Sequence, residues 1–73
     1  MPLTFVGEGE LVEIKRINGN DESRRHLHNL GFVEGSKVSV VSKTNGNLIV
    51  GVKDARIALS KEMAAKIVVA IIS

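Results

Sequence analysis

The sequence predicts a small, mainly β domain of about five strands with one or two short helices. Seven glycines separate short segments rich in Val, Ile and Leu, a spacing typical of small all-β barrels and sandwiches. Asn45 and Gly46 lie between two of these segments, and an Asn-Gly pair in that position is the strongest short-range signal for a β-hairpin. With 73 residues, the chain forms a single domain, residues 1–73.

The strands are predicted from runs of β-branched and apolar residues bounded by turn residues. In the third strand, Leu48, Val50 and Val52 alternate with other residues, as in a strand that is buried on one face. Gly51 interrupts this strand and predicts a bulge or a sharp bend there. The five predicted strands cover residues 10–17, 37–43, 48–53, 56–59 and 67–72.

The two short helices are predicted at about 21–30 and 60–66. Asn20 or Asp21 is a suitable N-cap for the first helix, because a short polar side chain can accept hydrogen bonds from the free amides of the first turn. Ser60 can cap the second helix in the same way.

The end of the first helix is predicted at Gly31, because a glycine directly after a helix supplies the left-handed backbone needed there. With Gly31 in that position, Leu27 and Phe32 occupy the two positions that make a hydrophobic contact in a Schellman motif. Gly35 is expected in the turn that follows. Gly31 and Gly35, like Asn45 and Gly46 in the hairpin, are therefore predicted to have structural roles.

The charge of the chain is nearly balanced, with ten basic and eight acidic residues and a net charge of +2. Phe5 and Phe32 are the only aromatic residues. Single-stranded nucleic-acid binders usually combine a basic groove with aromatic stacking platforms, so we expect no nucleic-acid partner. The absence of cysteine from the sequence excludes disulfides and thiolate zinc sites.

The hydropathy pattern predicts a soluble, cytoplasmic protein that is not embedded in a membrane. The longest nearly apolar run is residues 67–72, which is far shorter than the roughly 20 residues that span a bilayer. No basic segment precedes an apolar stretch at the N-terminus.

The two histidines, His26 and His28, lie in the first predicted helix. Residues two apart on a helix do not face each other, whereas those three or four apart do. We therefore predict neither a metal site nor a cofactor. Weak binding of a divalent metal stays open, because the two histidines would share a face if this segment were a strand.

The sequence contains no motif of a known catalytic site. It lacks Gly-x-Ser-x-Gly, Gly-x-x-x-x-Gly-Lys and Gly-x-Gly-x-x-Gly. Glu8 and Glu10 are paired carboxylates, but without a third ligand or a calcium-binding loop we interpret them as solvated charges at the entry to a strand. The protein is not expected to be an enzyme.

Residues 30–38, LGFVEGSKV, resemble the Leu-Gly-(apolar)-x-x-Gly-x-x-(Val/Ile) centre of the ferrous iron transport protein A (FeoA) family. Arg25 and Leu27 precede this centre at the Arg-x-Leu spacing of the family. Residues 57–69 are similar to the family's Ile-Ala-Leu…Ala…Ile-x-Val ending. The chain departs from the family at Glu34, where Pro is frequent, and in a shorter loop at residues 44–47.

The resemblance implies an SH3-like barrel that acts in the bacterial cytoplasm. It also implies a partner, the large membrane ferrous iron transporter with a cytoplasmic GTP-binding domain, which the small protein assists or regulates. The same barrel resembles the C-terminal domain of diphtheria-toxin-repressor-type metal regulators. A metal-binding or metal-sensing SH3-like module is therefore the alternative function.

The partner-binding surface is predicted at the corner that follows the first helix, because an apolar patch rimmed by charge is a usual docking feature. The alternative is that Leu27 and Leu30 only close one end of the barrel. Exposure of Phe32 and Val33 would distinguish the two interpretations. The predicted contact residues are Arg24, Arg25, Leu27, Leu30, Phe32 and Val33.

Overall fold

The computed structural model describes residues 1–72. A short 3-10 helix at Leu3–Phe5 precedes the first strand. The remaining elements are β1 (Leu11–Ile17), α1 (Asp21–Asn29), β2 (Lys37–Thr44), β3 (Asn47–Val52), β4 (Ala55–Ser60), α2 (Lys61–Ala64) and β5 (Ile67–Ile71).

The five strands form one antiparallel sheet in the order β4-β3-β2-β1-β5. The predicted count and order of strands along the chain are confirmed, with boundaries that differ by at most one residue. The second helix was predicted over residues 60–66, but α2 covers only Lys61–Ala64. Ser60 is the last residue of β4 and caps α2, because its hydroxyl accepts a hydrogen bond of 3.2 Å from the Met63 amide.

The core lies inside the curved sheet and is apolar. Among residues 1–72 no polar or charged side chain is buried. The strands supply most of the core through their alternating inward positions, while α1 and the segment after it close one side. The buried side chains are those of Leu3, Val6, Val12, Ile14, Ile17, Leu27, Phe32, Val38, Val40, Leu48, Val50, Val52, Leu59, Ala64, Ile67 and Val69.

The bulge predicted at Gly51 is wrong, because Gly51 pairs regularly with Ser39 on one side and Arg56 on the other. The irregularity of this ladder lies on β2, where the register shifts between Val40 and Ser42. A Cβ atom at position 51 would lie 3.1 Å from the Ser39 hydroxyl oxygen and 3.6 Å from Cγ2 of Val41. The glycine therefore makes room for side chains of the neighbouring strand.

Two tight turns connect β2, β3 and β4. Asn45 and Gly46 both have positive φ, 42° and 86°, as a type I′ hairpin requires. The second turn contains Lys53, with φ of 56°. The third strand was predicted to include this residue, but β3 ends at Val52. A lysine in this conformation gives no sequence signal, because positive φ is usually found at Gly, Asn or Asp.

The N-terminal segment lies along the outer edge of β5. The Met1 ammonium group donates to the Val69 carbonyl oxygen at 2.8 Å, and the Val69 amide donates back to the Met1 carbonyl oxygen at 2.7 Å. Pro2 forms an isolated bridge with Val68. No helix within the described part of the chain is long and apolar enough to cross a membrane.

Candidate functional site

Helix α1 begins with a side-chain cap. The Asn20 carboxamide oxygen accepts a hydrogen bond of 2.8 Å from the Ser23 amide. Asp21 and Glu22 place negative charge in the first turn, where it interacts favourably with the positive end of the helix. The residue at which the helix begins is therefore determined by the local sequence. Because side chains follow the helical repeat from that residue, it also determines which of them face outward.

The helix ends in a complete Schellman motif. The Phe32 amide donates to the Leu27 carbonyl oxygen at 2.9 Å, and the Gly31 amide donates to the His28 carbonyl oxygen at 3.0 Å. Gly31 has a φ of 103°, the left-handed region that glycine adopts without strain. These two bonds turn the chain back over the helix and bring Phe32 against Leu27.

The turn directs the Leu27 and Phe32 side chains into the core, where both are 0% exposed. The prediction that they contact a partner is wrong for this structure, because neither side chain reaches the surface. Leu30 and Val33 are partly exposed, and Leu30 packs against the core. Thus Leu27 and Phe32 close the barrel, and the apolar part of the predicted surface is reduced to Leu30 and Val33.

The opposite side of α1 carries the polar residues of the prediction. Arg24 and Arg25 are both exposed, and they lie at the edge of a shallow surface concavity of about 380 Å³. We call this the α1 surface, and define it by the residues that line it: Asp21, Arg24, Arg25, His28 and Asn29.

Three residues that line the α1 surface were not among the predicted contact residues, namely Asp21, His28 and Asn29. Their spacing from the two arginines is a signal that was available in the sequence, because residues three or four apart share a helix face. Asp21 lies 3.7 Å from the Arg24 guanidinium, measured from Oδ1 to Nη1. The Asp21 side chain is 93% exposed, so this ion pair is weak and leaves the arginine available.

The two histidines do not form a common site. His28 Nε2 lies 3.3 Å from Glu34 Oε1, which joins the last turn of α1 to the turn at Gly35. His26 is exposed and forms no ion pair within residues 1–72. In the same residues, no three His, Cys, Asp or Glu side chains are grouped closely enough to hold a metal ion.

The turn at Val33 to Ser36 is attached to β1. The Ser36 amide donates to the Val33 carbonyl oxygen at 3.1 Å, and the Gly35 amide donates to the Ile14 carbonyl oxygen at 2.8 Å. Gly35 has a φ of 89°. These values correspond to a type II turn with Glu34 and Gly35 in its two central positions.

The two N-terminal carboxylates both bind main-chain amides. Glu10 Oε1 accepts from the Gly7 amide at 2.7 Å, and Glu8 Oε2 accepts from the Lys43 amide at 2.8 Å. The interpretation of these residues as free solvated charges is therefore incomplete. They hold the segment before β1 and connect it to the end of β2.

Comparison with known proteins gives sequence matches that span nearly all of the described residues. The family model described as the FeoA domain matches residues 1–71. An Fe(2+) transport protein A of Methanocaldococcus jannaschii is 37% identical over 68 residues, which are 93% of this chain and 83% of that protein.

Solved structures of FeoA proteins have a similar fold. The crystal structure of an iron uptake regulatory protein, FeoA, has a TM-score of 0.90 with 26% identity, covering 99% of this chain and 96% of that one. Zinc-complexed FeoA of Stenotrophomonas maltophilia, an SH3 domain protein, has a TM-score of 0.76 with 30% identity, covering 96% and 89% of the two chains. The expected SH3-like architecture is thereby confirmed.

A more distant likeness extends to metal-dependent regulators. A manganese-dependent transcriptional repressor is 19% identical with a TM-score of 0.87, and this chain covers 97% of its own length but 40% of the repressor. At that identity the likeness concerns the fold alone.

Proposed function

This chain belongs to the FeoA domain family, and on that premise we propose that it is an accessory or regulatory protein of ferrous iron uptake. In this proposal it binds the membrane ferrous iron transporter through the transporter's cytoplasmic GTP-binding domain. Two relatives support a role in iron uptake, because one is an Fe(2+) transport protein A and the other an iron uptake regulatory protein. We place the protein in the cytoplasm, where that domain lies.

The observation that carries the proposal is the attachment of an exposed cationic helix face to the hydrophobic core. Leu27 and Phe32 are fully buried beneath α1, while Arg24 and Arg25 point outward from it. A surface whose supporting residues are locked in a core loses little conformational freedom on binding. The α1 surface is therefore prepared for a partner.

The chemistry of the α1 surface favours carboxylates on the partner. The planar guanidinium group forms paired hydrogen bonds with a carboxylate, and these are stronger than neutral hydrogen bonds. Arg25 forms no ion pair in the described structure. Leu30 and Val33, which follow the helix and are partly exposed, add a small apolar contact beside the two cations.

The proposal is tested by an amide-resolved NMR titration of the isotope-labelled protein with the GTP-binding domain from the same organism, loaded with GDP or a GTP analogue. We expect shifts confined to residues 21–36. The variant Arg24→Gln with Arg25→Gln should weaken binding roughly tenfold or more, since two charge-assisted contacts are lost. The matched control, Lys37→Gln with Lys61→Gln, removes two exposed charges from elsewhere and should bind normally.

Two results would overturn the proposal in different ways. Shifts that cluster away from residues 21–36 would keep the partner and reject the α1 surface. No shifts in either nucleotide state, with a folded domain at concentrations near 1 mM, would reject the GTP-binding domain as the binding partner, because any remaining contact would be weaker than about −4 kcal/mol.

The metal-sensing alternative receives less support from the geometry. His28 and Glu34 offer one imidazole and one carboxylate, whereas transition-metal sites in proteins commonly use three or more ligands. Arg24 and Arg25 line the same concavity as His28, and their positive charge opposes a cation.

A further inference from the structure

The two outer strands of the sheet, β4 and β5, differ in how their free edges are treated. The edge of β5 is covered by the N-terminal segment, which exchanges two hydrogen bonds with Val69. The edge of β4 has no such cover. β4 pairs with β3 through six consecutive residue pairs without a register shift, and no strand among the described residues lies on its other side.

The hydrogen-bond pattern identifies the free groups of β4. The Lys61 amide donates to the Gly46 carbonyl oxygen at 2.8 Å, which continues the β3–β4 ladder by one bonded position. Bonded and non-bonded pairs alternate in an antiparallel ladder. The bonded pairs are consequently Leu48–Leu59, Val50–Ile57 and Val52–Ala55.

It follows that the amides and carbonyls of Arg56 and Ala58 point away from β3. None of the hydrogen bonds that the described residues form outside their ladders and helices involves either residue. Both residues are also exposed.

An open edge of this kind is normally protected by proline, a bulge or a covering segment. β4 contains no proline and no bulge. Its one charged side chain is that of Arg56, and Ala55 and Ala58 are small and exposed. The edge is therefore open to another strand at residues 55–58.

We propose that β4 pairs with β4 of a second copy of this chain, antiparallel about a two-fold axis, with Ile57 opposite its own counterpart and Arg56 opposite Ala58. In this register the outward amides and carbonyls of Arg56 and Ala58 from each copy meet one another, which makes four hydrogen bonds across the axis. The two five-stranded sheets become one continuous sheet.

The side chains of β4 favour this register over its neighbours. Ile57 is only partly buried, and opposite its counterpart it forms an apolar pair at a non-bonded position, where side chains lie closest. A register that places Arg56 opposite Arg56 would oppose two cations. A register centred on Ala58 would require the Ser60 carbonyl oxygen to accept a hydrogen bond from the second copy. Ser60 is the N-cap of α2, and its carbonyl oxygen already accepts the first hydrogen bond of that helix.

The covered edge of β5 argues for a second copy and for closure at two. A pairing that uses the same strand on both copies is isologous, so it consumes both open edges. The N-terminal segments occupy the remaining edges at Val68 and Val69, so these edges offer no continuous row of free main-chain groups to a further copy.

The test is the oligomeric state of the full chain, measured by analytical ultracentrifugation from about 10 μM to 1 mM, together with amide exchange at the two extremes. We expect a reversible dimer, and slower exchange of the Arg56 and Ala58 amides in the dimer than in the monomer. A monomer at every concentration would overturn the proposal, and so would a dimer in which these amides exchange at the monomer rate.

The decisive variant is Ala58→Pro, because proline removes an amide that points outward and no bond to β3. It should raise the dimer dissociation constant at least about tenfold, while the dispersion of the amide NMR spectrum shows that the fold is kept. Ala58→Thr retains the amide and should dimerise like the parent.

A second variant guards against misfolding of the first. Ala58→Arg, at an exposed position, places a cation opposite Arg56 of the second copy and should also abolish the dimer. Retention of the dimer in a folded Ala58→Pro or Ala58→Arg protein would overturn the proposed pairing.

Discussion

The main-chain amide of Phe32 donates a 2.9 Å hydrogen bond to the carbonyl oxygen of Leu27, and both side chains are completely buried. One local bond thus connects the end of a helix to the core. It explains how nine residues of helix, too short to be stable alone, are held in one orientation. The direction of the outward-facing arginines depends on this contact.

Replacing Gly31 by alanine should lower the free energy of unfolding by about 1–2 kcal/mol or more. The alanine would carry strain at a φ of 103°, and its Cβ atom would lie 3.2 Å from Cγ1 of Val52. Urea denaturation measures the loss. Gly35→Ala is the matched control, because Gly35 also has positive φ, 89°, but a Cβ atom there meets nothing within 4 Å. If the two variants lose equal stability, the contact with Val52 carries no cost.

The two phenylalanines should differ sharply in their contribution to stability. Phe32→Ala removes a fully buried ring and should cost about 3–5 kcal/mol, a large part of the total for a domain of this size. Phe5 is 73% exposed, so Phe5→Ala should change the stability by less than about 0.5 kcal/mol. Thermal denaturation of both variants checks this difference. A large loss for Phe5→Ala would mean that the ring contacts the protein in solution.

The parts of the structure that could be predicted are those set by neighbours in the sequence. The Asn45-Gly46 hairpin and the end of α1 at Gly31 depend on local backbone preferences, and the alternation of β3 reports one buried face. The Schellman pattern also predicted a contact between Leu27 and Phe32. That contact conflicts with their assignment to a docking surface, since side chains that pack on each other beneath a helix end cannot also face a partner.

The errors concern relationships between distant segments. Gly51 leaves space for the Ser39 hydroxyl on another strand, which no local pattern reveals. The open edge of β4 depends on the strand order, and the cover of β5 depends on the pairing of residues 1 and 69. The α1 surface could be predicted in part. Once residues 21–30 are assigned to a helix, the spacing of three or four residues places Asp21 and His28 on the same face as the two arginines.

We expect no tight metal site at the histidines. His28 pairs with one carboxylate, that of Glu34, and shares its concavity with two arginines and Asp21. An equimolar titration with Zn²⁺, followed through the imidazole NMR signals, should leave His26 and His28 unshifted. Concerted movement of both signals at equimolar Zn²⁺ would contradict this expectation and favour the metal-sensing function.

Replacing Glu34 by proline should stabilise the protein, although it removes an ion pair. Glu34 occupies the first central position of the type II turn whose second is Gly35, with φ of 89°, and proline is favoured in that first position. The Glu34 amide forms no hydrogen bond among those of the described residues outside helices and strands. Restricting the unfolded chain should contribute about 0.4–1 kcal/mol.

The lost pair between His28 and Glu34 should offset only part of this gain. Both side chains are more than a third exposed, at 41% and 46%, and such pairs are worth about 0–1 kcal/mol before screening by salt. Glu34→Gln isolates that loss, because it keeps the backbone and removes the charge. In urea denaturation at moderate salt, Glu34→Pro should therefore be more stable than Glu34→Gln. If Glu34→Pro is the less stable of the two, residues 33–36 do not form a type II turn in solution.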